Sequence, residues 1–207
     1  IRCPFILLSA VRFRFAPVDY ELDFSRSGDL PPVQCEDGDV SVSLSGKVDR
    51  VDGYIKNGRL YLRVMDYKSG KKSFSLSDIW YGLNMQLIIY LYALQQEGLG
   101  RYRARLTAEL NEIVPAGVLY VPVRDELPDA ARDTDEEGLR ILRDKALRRS
   151  GLLSDDMSLL EAMEHGLEGD GRFIPVSIKT RKGEDEPTLA AKSAVADLAK
   201  FGRLARY

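Results

Sequence analysis

Cysteine and histidine are nearly absent from this 207-residue chain, which has two of the first (Cys3 and Cys35) and one of the second (His165). Two cysteines without a C-x-x-C spacing make neither a disulfide framework nor a zinc site, and they favour a reducing compartment, the cytoplasm. A lone histidine in a charged stretch, with no nucleophilic serine or cysteine placed to use it, argues against a hydrolase of the Ser-His or Cys-His kind. Long apolar runs are missing too. Stretches such as Leu87 to Leu94 ("LIIYLYAL") fall short of the roughly 20 residues that cross a bilayer, so no membrane partner is expected. No signal peptide opens the chain, and its first residue is Ile1 rather than Met, which reads as a piece of something longer. Charge of one sign is not in excess either: the formal net charge is -2. Such a chain has no bulk positive field, so contact with phosphates would need a local basic patch or a bound cation. "GLGRYRARL" lacks the G-K-[ST] ending of a phosphate loop.

What is present is an alternation of strands and helices. Phe15 to Ser25 alternates apolar and polar residues as a half-buried strand does, and Gly28, Pro31 and Pro32 end it. Val40 to Ile55 reads as a second strand, and Asn57-Gly58 is a strong hairpin signal joining it to Arg59 to Tyr67. From Ser77 the period becomes helical, with Ser77 or Asp78 as N-cap and Gly98 as the stop. Pro115 to Val123 reads as a short central strand, ended by Pro122. Asp135 to Arg149 and the segment after Asp155 or Asp156 read as helices, Phe173 to Lys179 as a strand, and Thr188 to Leu204 as a final amphipathic helix. The interleaving predicts an α/β fold around one central mixed sheet flanked by helices, with residues 1–207 as a single domain.

The hairpin collects the chemistry. Asp49 lies toward the end of one predicted strand and Asp66 at the end of the next, with Lys68 two residues on and therefore on the same face as Asp66. Two carboxylates suit Mg²⁺ or Mn²⁺, whose remaining octahedral positions take water and substrate phosphate. The ammonium of Lys68 can orient an attacking water and offset charge that builds on phosphorus. The same triplet in a non-catalytic protein is a surface ion pair of little worth. Gln86 and Tyr90, four apart, share one face of the following helix; taken singly, they read as a boundary residue and core filler.

Taken together, "GKVDRVD", "VMDYKSG" and "GLNMQLIIYLYAL" resemble the motifs of the RecB-like branch of the PD-(D/E)XK nuclease superfamily, G-x-x-D, D-Y-K-[ST]-G and Q-x-x-x-Y. "PAGVLYVPV" and "RRSGLLSDDMSLLEAME" look most like the C-terminal nuclease domain of the AddB family, so the resemblance runs from Val18 to the end. It implies a restriction-endonuclease-like fold and a Mg²⁺- or Mn²⁺-dependent deoxyribonuclease, an exonuclease that leaves 5′-phosphates during double-strand-break end processing and recombinational repair. Asp49 and Asp66 are implied as metal ligands, the Tyr67 carbonyl as a further ligand, Lys68 as the catalytic lysine, and Gln86 with Tyr90 as site support or DNA contacts. DNA and an AddA-type helicase-nuclease subunit are the implied partners. A catalytically silent DNA-binding or scaffold module, and a CRISPR-associated RecB-like exonuclease, are the competing readings.

Three departures from that pattern stand out. Family members draw an extra acid or histidine from an upstream helix for which the chain has no room before its first strand; Glu21 is a candidate to approach the site, though strand pairing suits it better. The iron-sulfur cluster implied for full-length members needs C-terminal cysteines that this chain lacks, so it cannot form here, and Cys3 only echoes the upstream ligand's Cys-Pro context. The basic runs Arg101 to Arg105, Arg143 to Arg149 and Lys179 to Gly183 read first as solvated faces.

Overall fold

The computed structural model describes residues 14–70, 72–123, 131, 133–180, 187–190, 193–198 and 200. Six strands form one sheet in the order β1 (Ala16–Phe24), β4 (Gly46–Lys56), β5 (Arg59–Lys68), β6 (Glu112–Pro122), β7 (Ser150–Ser154) and β10 (Val195–Ala196). β1 and β5 each pair antiparallel with β4. Asn111 N–H donates to Gly58 O at one end of β5 and Val123 N–H donates to Lys68 O at the other, so β6 runs parallel to β5 and the sheet is mixed.

The β4–β5 hairpin forms for the reason its sequence announces. Asn57 and Gly58 take φ of 54° and 71°, the left-handed pair that a two-residue turn needs to match strand twist. The predicted second strand, in contrast, is two. Val40–Leu44 is β3, which pairs back on β2 (Val33–Asp37) in a separate two-stranded sheet, and only after Ser45 does the chain enter β4. Val40, Val42 and Leu44 are exposed, whereas Val48 and Val51 are buried, so one β-favouring run serves two sheets.

The predicted helix from Ser77 to Gly98 also divides. α1 (Leu76–Trp80) stops in a turn where Gly82 and Asn84 have φ of 77° and 55°, and α2 (Gln86–Leu106) then runs well past Gly98. Gly98 is not a stop signal: a Cβ there would stand 3.1 Å from Ile113 Cδ1, so the glycine lets helix and strand approach. α3 (Glu136–Ala146) and α4 (Met157–Met163) begin at Asp135 and Asp156, whose carboxylates cap Gly138 N–H and Ser158 N–H.

Contacts group the chain into two compact units. One is built mainly from Phe15–Asp66 and Leu76–Val118, the other mainly from Tyr67–Ser75 and Leu119–Asp197. The first buries Leu22, Phe24, Val51 and Leu62 of its strands with Leu87, Leu94 and Tyr102 of α2. Beneath the hairpin it also holds Asp52, fully buried, between Arg50 (Nε to Oδ1 2.6 Å) and Arg63 (Nη2 to Oδ2 2.8 Å).

The second unit buries Leu152, Leu153, Leu160 and Met163. The strand expected at Phe173 to Lys179 is reduced to β8 (Ile178–Lys179). The buried carboxylate of Glu164 takes the N–H groups of Arg172, Phe173 and Ile174, fixing that stretch as a loop. The final helix predicted from Thr188 is not found among the described residues before Leu198: Thr188–Leu189 is β9, paired with β8, and β10 lies parallel to β7. Helical backbone begins no earlier than Leu198. Pairing wins over helical periodicity there because Leu153 and Asp155 N–H groups find Ala194 and Ala196 carbonyls. Among the described residues, no helix is long and apolar enough to cross a membrane.

Candidate active site

The hairpin register orders the acids. Arg50 pairs with Met65 and Val51 with Val64 across the β4–β5 ladder; the paired residues end there, and one further step along each strand reaches Asp49 and Asp66. Residues opposed in an antiparallel pair point to one face with their Cβ atoms about 5 Å apart. Asp66 is buried at 9% exposure and Asp49 is half-buried, so both carboxylates belong to a partly dry rim. Tyr67 follows Asp66 in β5, and Lys68 ends the strand on the same face as Asp66 by alternation.

"DRVD" thus contains two different acids. Asp49 and Asp52 are three apart and so face opposite sides of β4. Asp52 is consumed by its two arginines, and Arg63 lies in turn 5.0 Å from the Phe15 ring centre. Asp52 is held in a buried ion-pair cluster, and Asp49, on the opposite face, is the acid of β4 one step beyond the Arg50–Met65 pair.

Helix α2 braces that corner. Tyr90 is buried against Phe24, the rings nearly parallel with centres 5.6 Å apart. Its hydroxyl accepts the Lys47 backbone N–H at 3.1 Å and the Gln86 Nε2 amide at 3.1 Å. A methyl on Gly46 would collide with that hydroxyl and ring, so glycine at 46 is what admits Tyr90 to the start of β4. Gln86 itself is exposed. Glu21 has a left-handed backbone (φ 52°) and pairs with Lys47 at 2.6 Å through exposed side chains. His165 is also exposed, beside Glu161 at 2.9 Å. Cys3 lies outside the described residues.

The model of the PD-(D/E)XK nuclease superfamily matches residues 6–187. The chain belongs to that superfamily. It is 36% identical over 197 residues to the B-type subunit of the ATP-dependent helicase/deoxyribonuclease of Acetivibrio thermocellus, a match that covers 95% of this chain and 16% of that relative. It is 37% identical over 170 residues to the protein of the same name from Clostridium acetobutylicum, covering 81% of this chain and 14% of the relative. The chain therefore spans about a sixth of the length of these relatives.

The superfamily uses divalent metals, and the donor set here fits one. Among the described residues, no group of three or more His, Cys, Asp or Glu side chains is placed to hold a metal ion. Two carboxylates from neighbouring strands suit Mg²⁺, which keeps several waters and is held by one or two acids plus substrate phosphate.

On the Lys68 side, within the second unit, the sequence reading missed a feature. Lys68 Nζ lies 5.8 Å from the centre of the Tyr120 ring, and Lys72 Nζ lies 5.0 Å from it. Both line a cleft of about 570 Å³ with Lys145 and Arg148. The signal was in plain view as the lysines behind "DYKSG" and in the run Arg143 to Arg149. What sequence does not disclose is that a loop and a helix end bring them to one ring.

Proposed function

We propose that this chain is a Mg²⁺- or Mn²⁺-dependent deoxyribonuclease domain that hydrolyses DNA phosphodiesters. In this reading it is a portion of a longer helicase-deoxyribonuclease polypeptide that works in the cytoplasm with an AddA-type partner, in double-strand-break end processing. What supports the reading is the β4–β5 register, which one step beyond the Arg50–Met65 pair reaches Asp49 and Asp66, with Lys68 two residues further along β5. The helicase/deoxyribonuclease name of its relatives supports the same assignment.

In the proposed reaction, a water oxygen bonds to phosphorus in line with the 3′ oxygen, whose bond to phosphorus breaks. The products are a 5′-phosphate and a 3′-hydroxyl, and the water's proton passes to the leaving oxygen by way of solvent. Asp49 and Asp66, with the Tyr67 carbonyl, would hold the metal, which supplies charge to the scissile phosphate. Lys68 holds the attacking water by a hydrogen bond and stabilises the negative charge that grows on the phosphoryl oxygens. Tyr90 and Gln86 are positioning residues: the pair fixes the strand start two residues before Asp49.

Asp66→Ala and Lys68→Ala in the full-length protein test this. Each should abolish Mg²⁺-dependent cleavage of end-labelled DNA, and calorimetric titration should show Mn²⁺ binding lost in Asp66→Ala and retained in Lys68→Ala. Undiminished cutting by either variant rejects the assignment. Cleavage absent from the wild type as well, with no Mn²⁺ uptake, would instead mark a silent scaffold.

A further inference from the structure

We propose that the cleft beside Lys68 is a grip for single-stranded polynucleotide, with Lys72 and Lys145 each taking a backbone phosphate next to the bond being cut. This rests on the nuclease reading for the polymer's identity and extends it to residues with no role in the chemistry.

The first argument is charge. The chain as a whole is slightly acidic, at -2, yet the cleft is lined by Lys68, Lys72 and Lys145, with Arg148 paired to Asp170 at 4.0 Å behind its wall, and by no acidic side chain among the described residues. A low-dielectric hollow lined by one sign of charge concentrates its field, and counter-ions of the other sign collect there. The second argument is position. Lys72 Nζ, 5.0 Å from the Tyr120 ring centre, shares that ring with Lys68 Nζ, at 5.8 Å, so one side chain places the lysine of the grip and the lysine of the proposed chemistry along the same cleft.

The lining then divides by task. Arg148 donates through Nε and Nη2 to the carbonyls of Ile174 and Val176, so it holds the cleft wall. Tyr120 is buried at 4% exposure, which leaves its ring to seat the lysines rather than to stack on bases. Lys145 is exposed in the last turn of α3, and Lys72 is half-buried on the loop behind β5. These two can reach a ligand. A cleft of about 570 Å³ has the size of a small-molecule site, which admits a nucleotide or two of a single strand and not the body of a duplex.

The test is binding of a fluorescent oligodeoxythymidine to the full chain in EDTA, by anisotropy over a range of salt. For single strands the slope of log affinity against log salt carries about 0.7 per neutralised phosphate. Lys72→Gln/Lys145→Gln should therefore lower the slope by about 1.4 and weaken binding about tenfold at about 0.1 M salt. Affinity for a blunt duplex should change less than about twofold. Lys56→Gln, the same loss of charge at the hairpin turn, should leave both measurements at wild-type values. Should the double variant fold poorly, Lys72→Gln alone, on a loop, should lower the slope by about 0.7. An unchanged slope overturns the proposal, as does an equal loss on single strand and duplex. Cleavage plays no part in this measurement, so such a result leaves the nuclease reading standing. Intact cutting by Asp66→Ala would strike that reading and not this one.

Discussion

The hydroxyl of Tyr90 accepts the backbone N–H of Lys47 at 3.1 Å, tying the first turns of α2 to the strand that delivers Asp49 two residues later. Gln86, one turn before, donates to the same oxygen. This contact links the third sequence motif to the first through the main chain, and it gives Tyr90 a task that touches no substrate.

Tyr90→Phe removes that acceptor while keeping the ring on Phe24. The Lys47 N–H loses its partner, and unfolding in urea should show a loss of about 1 kcal/mol. Steady-state cleavage should show a lower kcat with KM for DNA unchanged, because the change relaxes Asp49 and leaves the binding surface alone.

Gly46→Ala should be worse. The new methyl meets the Tyr90 hydroxyl and ring, and a ring stacked on Phe24 has little room to yield. A cost of about 2 kcal/mol is expected. Introduced into a Tyr90→Ala background, the same methyl should cost less than about 1 kcal/mol, a coupling that a double-mutant cycle reads directly.

The two acids of "DRVD" should separate cleanly. Asp52→Ala leaves Arg50 and Arg63 buried without their shared carboxylate and should cost about 3–5 kcal/mol, while the protein that remains folded keeps its Mn²⁺ affinity. Asp49→Ala should lose Mn²⁺ binding in calorimetry with a urea midpoint close to the wild type's.

Tyr102 sets an alkaline limit. Burial raises its phenol above the usual tyrosine range, and the nearby Asp19 carboxylate pushes in the same direction. Above about pH 10 the unfolded chain releases this proton and the folded one keeps it. The stabilisation is therefore complete below that pH and falls away as pH rises beyond it. Between about pH 9 and 11, Tyr102→Phe should lose less stability than the wild type in urea titrations.

Local signals carried the parts of the structure that were legible beforehand. Asn57-Gly58 set the hairpin turn, and Asp135 and Asp156 marked helix starts, because each depends on neighbours a few residues away. The resemblance named the superfamily from short motifs along those same elements. What the sequence withheld was settled by distant partners. Thr188 to Leu204 has helical spacing, yet β8 pairs with Thr188–Leu189 and the edge of β7 with Val195–Ala196. Gly98 looks like a terminator until Ile113 is seen to press on it. Lys72 and Lys145 stand 73 positions apart, and only the folded cleft joins them.

The chain visits its two compact units by turns: Phe15–Asp66 in one, Tyr67–Ser75 in the other, Leu76–Val118 back in the first, and Leu119–Asp197 again in the second. Neither half can be finished on the ribosome before the other is begun, since residues Tyr67–Ser75 emerge long before the partners they pack against. Nascent chains that pause short of Leu119 hold Lys68 with no Tyr120 to receive it, so the second unit is completed late in translation rather than piece by piece.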